Sequence, residues 1–124
     1  MNENTSFTIG TGLTRLNFRL IWQGSDIYIT ITGGSEHIGS VAVVMAGGIN
    51  ILTASGHKDD FLVRPIAEAV AVVFKGTAVI MAGFHLDNIT SQQIEAVLAN
   101  NREGVNRLKA YLLESRSSRS SQTP

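Results

Sequence analysis

Apolar residues recur along this chain with two different periods, and each change of period marks a new element. Residues 6–10 alternate apolar and polar, and Gly10-Thr11-Gly12 then turns the chain. Leu16, Phe18, Leu20 and Trp22 stand two apart, separated by Asn17, Arg19 and Ile21, which predicts a strand with one buried face. Gln23-Gly24-Ser25-Asp26 reads as a hairpin turn. Ile27, Ile29 and Ile31 then alternate with Tyr28, Thr30 and Thr32 in a second strand rich in β-branched residues. Gly33-Gly34-Ser35-Glu36 breaks the pattern. Residues 39–46 are nearly continuous in small apolar side chains, which predicts a strand covered on both faces. Gly47-Gly48 is placed as the hairpin loop, with the chain returning over Ile49 to Thr53.

The period then lengthens. Leu62, Ile66, Ala69, Val70 and Val73 fall at helical spacing within residues 58–75. Pro65 allows two starts: near Arg64 with proline at the first position, or near Lys58 with a bend. Gly76 ends this helix, and Thr77 to Ala82 reads as another buried strand. Thr90-Ser91-Gln92-Gln93 has the form of a capping box, in which the threonine hydroxyl accepts an early N–H and the glutamine reaches back. Ile94, Leu98, Asn101, Val105, Leu108 and Leu112 follow in a 4-3-4-3-4 stripe. Asn101 interrupts its apolar character and Gly104 lies close by, so two consecutive helices, or one with a break, are expected. The order is β-β-β-β-β-α-β-α. This is an α+β (mixed α/β) chain, with helices packed on a mixed, mostly antiparallel sheet.

At 124 residues the chain is the size of one domain. We place that domain at residues 1–115. Residues 116–124, rich in Ser and Arg, have nothing to bury and read as a disordered tail. The composition is 44% hydrophobic and 16% charged, which argues against global disorder. Ten basic residues balance ten acidic ones, removing the main electrostatic argument for a nucleic-acid partner. Absence of cysteine excludes disulfides, thiolate metal sites and cysteine nucleophiles. No signal-like N-terminus or membrane-length apolar run is present, so a cytoplasmic protein is expected. A mean hydropathy of +0.13 in so small a domain also suits an oligomer that covers apolar surface.

Topology brings the chemistry together. His37 precedes the 39–46 strand, His57 follows the 49–53 strand and His85 follows the 77–82 strand. If the middle pair is a hairpin, the start of one strand and the end of the next share one sheet edge. A crossover helix over 58–75 would make the 77–82 strand run parallel to 49–53 and end at that same edge. All three histidines would then meet in loops where ligand sites are common. Their neighbours are Gly34, Gly39, Lys58, Asp59, Asp87 and Asn88. Glycine admits close backbone approach, and Lys58 with amides at a helix start suits an anion. His85 and Asp87, two apart, project to one side of an extended segment. The plainer readings are structural. Asp59 and Asp60 suit a helix start, Asp87 and Asn88 a turn, and a lone loop histidine is commonly a capping residue. No compact His-Glu-x-x-His motif is present.

An ordered set of short motifs carries a resemblance. It comprises Gly33-Gly34 with His37-Ile38-Gly39, Leu52-Thr53 with Gly56-His57-Lys58-Asp59-Asp60, Arg64, Ala67-Glu68, and Ala82-Gly83-Phe84-His85-Leu86-Asp87-Asn88 with Thr90. From about residue 27 to residue 100 the chain resembles the LpdD-like prenylated-flavin chaperones, the family typified by a small accessory protein of gallate decarboxylase. The resemblance implies a non-catalytic accessory that binds or delivers prenylated FMN, or FMN, for a UbiD-type aromatic acid decarboxylase. It implies that Gly34, His37, Gly39, His57, Lys58, Asp59, His85, Asp87 and Asn88 line the site. The fold also looks similar to the small proteasome-assembly chaperones, which implies a dimer. Two features depart from the family pattern: the very short connection between the 39–46 and 49–53 strands, and Pro65 after Arg64.

Two other readings compete. One is a small metal-dependent hydrolase or lyase with His37, His57 and His85 as ligands and Asp59 or Asp87 as base. The other is a dimeric assembly factor with no small ligand, in which the 94–112 stripe matters and the histidines do not.

Overall fold

Turn chemistry sets the first half of the sheet. In the computed structural model, which describes residues 3–46, 48–54 and 59–122 and side chains through residue 115, Gln23 pairs with Asp26 across Gly24 and Ser25. Gly24 lies at φ +63°, the left-handed geometry a two-residue hairpin requires. The strands so joined are β2 (Leu16–Gln23) and β3 (Asp26–Gly34), with β1 (Thr5–Ile9) antiparallel on the outer side of β2. A 3-10 turn, Gly12–Thr14, links β1 to β2. The second hairpin is β4 (Ser40–Met45) with β5 (Gly48–Thr53). Met45 pairs with Gly48, so Gly48 belongs to β5 rather than to the loop; Gly47 lies outside the described residues.

Helix α1 (Asp60–Val73) then leads to β6 (Ala78–His85), and α2 runs Ser91–Gln122. The sheet order is β1-β2-β3-β6-β4-β5. β6 inserts between the hairpins, parallel to β3 and antiparallel to β4. It therefore runs in the same direction as β5, as expected, but β4 separates the two. This is a mixed α+β sheet, and the element order is the one the hydrophobic pattern predicts.

One face of the sheet holds the core. Leu20, Ile29, Ile80 and Ala42 form a register row across four strands, and all are fully buried. Phe18, Ile31 and Ala82 form the next. Helix α1 covers β4, β5 and β6 on this face, and α2 covers β1 and β2. Strand β4 is thus not covered on both faces. Val41, Val43, Val79 and Met81 alternate with the core residues and are only half-buried, on the side to which no described element packs. A run of small apolar residues suits a doubly buried strand, but it suits equally an apolar sheet face left open.

Both helices resolve ambiguities of the pattern. α1 begins at Asp60 and keeps Pro65 inside it, so proline is not its first residue. α2 is one continuous helix, not two. Asn101 does not face water: it is 2% exposed, and its Nδ2 donates to the Leu62 carbonyl of α1 at 3.1 Å. Gly104 is no breaker either. A Cβ there would lie 2.2 Å from Cζ of buried Phe18, so glycine lets the helix settle onto the sheet. The capping box forms as read: Gln93 N–H donates to Thr90 Oγ1 at 3.1 Å, and Thr90 N–H to Gln93 Oε1 at 2.8 Å. The α2 backbone stays helical to Gln122, through the segment whose composition suits a disordered tail. Helix propagation needs no new nucleus once the first turns are docked. Among the described residues, no helix is long and apolar enough to cross a membrane.

Candidate functional site

The strand directions send four chain segments to one end of the sheet. β3 and β6 finish there at Gly34 and His85, β5 finishes at Thr53, and β4 starts at Ser40. The loop from Ser35 to Gly39 crosses this end and is pinned by its backbone. Ser35 N–H donates to the His85 carbonyl at 2.8 Å, and Gly39 N–H to the Ala82 carbonyl at 3.0 Å. Ala54 N–H donates to the Gly39 carbonyl at 2.8 Å, which closes the β5 side.

Missing side chains make this seat. Gly34 lies at φ +60°, and a Cβ there would fall 2.0 Å from the His85 carbonyl oxygen. A Cβ on Gly83 would overlap the His37 carbonyl oxygen, at 1.5 Å. A Cβ on Gly39 would overlap the Asp59 carboxylate, 1.7 Å from Oδ2. The loop therefore lies flush on β6, with the His37 carbonyl against Gly83 and the Asp59 carboxylate against Gly39.

Asp59 sits at the N-cap of α1, yet its side chain does not cap that helix. Oδ2 accepts from His37 Nε2 at 3.1 Å, and Oδ1 accepts from the Phe84 amide at 3.4 Å. A residue type common at helix starts is thus turned toward the histidine cluster instead. His37 Nδ1 also lies 3.1 Å from the Ser35 carbonyl. Both partners are acceptors, so the ring fills both contacts only with hydrogen on both nitrogens. His85 Nε2 donates to Asp87 Oδ1 at 2.8 Å, the pair that spacing in an extended segment predicted. In the neutral ring this leaves Nδ1 as an acceptor. The two imidazoles meet edge to face, centroids 6.3 Å apart. Side-chain exposure climbs from 8% at Asp59 through 22% at His37 to 54% at His85 and 88% at Asp87. The cluster runs from a buried anchor to an open edge.

The sheet end therefore gathers Gly34, His37, Gly39, Asp59, His85 and Asp87. Asn88, at φ +54°, occupies the turn between β6 and the capping box, the left-handed geometry asparagine tolerates. His57 and Lys58 lie outside the described residues, so the third histidine of the expected set has no described position. Among the described residues, no three His, Asp or Glu side chains are grouped to hold a metal ion.

A cleft of about 360 Å³ opens beside His85 and Asp87. Its other walls are Gly34 and Ser35, with Gly12, Leu13 and Arg15 from the 3-10 turn and the approach to β2. These last residues are absent from the expected site. A signal existed. The hairpin logic that put His37 and His57 at one edge also puts the start of β2 beside the end of β3, where Asn17 pairs with Thr32.

A six-stranded mixed sheet with two helices on one face defines an α+β architecture. A chain from the crystal structure of a novel chaperone complex for yeast 20S proteasome assembly superimposes on it with a TM-score of 0.55. The match covers 89% of this chain and 97% of that one, at 11% identity, and so concerns the fold alone. Residues 10–113 match the family described as the prenylated flavin chaperone LpdD-like domain, and the chain belongs to that family. Protein LpdD of Lactiplantibacillus plantarum is 34% identical over 80 residues, covering 59% of this chain. The chain spans about 59% of the length of that curated relative.

Proposed function

We propose that this protein is a non-catalytic accessory that holds prenylated FMN and passes it to a UbiD-type decarboxylase in the cytoplasm. The observation that carries the reading is the joined set Asp59–His37–His85–Asp87 at the sheet end, beside a cleft, in a chain of the prenylated flavin chaperone family. The side chains present suit such a ligand. The His85 ring, its Nε2 held by Asp87, offers Nδ1 to the polar edge of a flavin ring, and His37 backs it edge to face. Exposed Leu13 and Ile38, at 64% and 65%, offer apolar surface to its faces. The flavin carries the decarboxylation chemistry for the enzyme that receives it. This chain's residues bind it, orient it and keep water from it. Gly34 and Gly39 let the loop pack against His85 and Asp59 and so fix the histidine pair, and we place His57, Lys58 and Asn88 around the same ligand.

The test is an anaerobic titration of the full chain with prenylated FMN, FMN as comparator and His37→Ala as variant. Saturable binding of one ligand per chain, weakened about tenfold or more in the variant, is the expected result. A folded protein that binds neither flavin overturns the reading. Stoichiometric metal with activity lost on changing any one histidine would install the hydrolase reading in its place.

We also propose that the chain works as a homodimer joined through the open sheet face. Val41, Val43, Val79 and Met81 lie there in register, flanked by Leu52 at 78% and Met45 at 54% exposure. The charged strand positions on this face, Arg19 and Asp26, lie at the β2–β3 side, away from the apolar half. A flat, uncharged patch can meet its own copy across a two-fold axis without burying a charge.

A further inference from the structure

We infer that Arg15 is the phosphate anchor of this site, holding a phosphate monoester group in the cleft beside His85. The inference rests on the flavin reading and names the part of the ligand that reading leaves unplaced. Arg15 is exposed, lines the cleft, and has no ion pair or side-chain hydrogen bond among the described residues. The carboxylate that shares the cleft, Asp87, is bonded to His85 rather than to the guanidinium.

The backbone of Arg15 is fixed where an anchor needs to be. Its N–H closes the 3-10 turn on the Gly12 carbonyl at 3.4 Å. Asn100 Nδ2 donates to the Thr14 carbonyl at 3.0 Å and ties that turn to α2. The Arg15 carbonyl oxygen lies 2.6 Å from where a Cβ on Gly33 would be, so β2 enters the sheet pressed against the end of β3. A rigidly rooted guanidinium offers planar, forked donors that fit a phosphate better than any neutral group. Ser35 and His85 line the same cleft. His85 faces both ways. It lines the Arg15 cleft and stands 6.3 Å from His37, so one ligand with a ring at one end and a phosphate at the other can span both.

The experiment compares FMN with riboflavin, which differ only in the phosphate, on the full chain and on Arg15→Ala, Arg15→Lys and, as control, Lys75→Ala, an exposed lysine just before β6 at the far end of the sheet. In the wild type FMN should bind about tenfold tighter than riboflavin, and excess inorganic phosphate should erase the difference. Arg15→Ala should lose that preference while keeping its riboflavin affinity, Arg15→Lys should keep part of it, and Lys75→Ala should keep all of it. A full FMN preference in Arg15→Ala, or an equal loss in Lys75→Ala, overturns the assignment and leaves the flavin reading standing. If neither flavin binds, the flavin reading fails separately. An NMR titration with inorganic phosphate then decides: a saturable shift of the Arg15 Nε resonance sustains an anion site, and an unmoved resonance overturns it.

Discussion

Substituting Gly39 by alanine adds one methyl group where the Asp59 carboxylate now lies. The added carbon would be 1.7 Å from Oδ2, 2.6 Å from Cγ and 3.0 Å from Cβ of Asp59. No real contact is so short, so the carboxylate must leave. Its departure breaks the bond from His37 Nε2 and releases the Phe84 amide. A hydrogen bond to a charged group contributes about 1.5–3 kcal/mol. Gly→Ala otherwise stabilises by about 0.4–1 kcal/mol through the unfolded chain. The net expectation is a loss of about 1–2 kcal/mol. The discriminating assay is a double-mutant cycle in urea unfolding. In an Asp59→Ala background the closest remaining atom is Cβ at 3.0 Å, so Gly39→Ala should become nearly neutral. The cycle should therefore report a coupling of about 1–3 kcal/mol. Costs that add within about 0.5 kcal/mol would refute the claim that Gly39 exists to seat Asp59.

Gly104→Ala should destabilise by about 1–3 kcal/mol in urea unfolding, reversing the usual helical gain of about 1 kcal/mol, because the methyl meets the Phe18 ring at 2.2 Å. Asn101→Ala should lower stability by about 1–2 kcal/mol, read by thermal unfolding, since the Leu62 carbonyl loses its interhelical donor in a buried place. Leu108→Asp should abolish folding, seen by circular dichroism, because Leu108 is fully buried in the core and its stripe serves the chain's own sheet. Met81→Glu, on the open sheet face, should leave the fold intact and halve the native mass in light scattering; an unchanged mass would refute a dimer through that face.

The sequence alone determined the elements and their order, because period two and period 3.6 are local properties of a chain. It also placed the His37 and His85 loops at one sheet end, since a hairpin and a crossover leave few other arrangements. The His85–Asp87 pair and the Thr90–Gln93 box were legible for the same reason: their partners lie two and three residues apart. Contacts between distant segments were not. Nothing local says that β6 inserts between two hairpins, that helices cover one face only, or that Gly104 is a packing surface rather than a stop. Asp59 is read locally as a helix start, and only the fold turns its carboxylate to His37, 22 residues away in the chain. The place of Arg15 in the cleft was not legible either, because it precedes the strand whose pairing brings it to Gly34 and His85. Periodicity reports which face of an element is apolar; only packing decides what that face meets, and the site is made of such meetings.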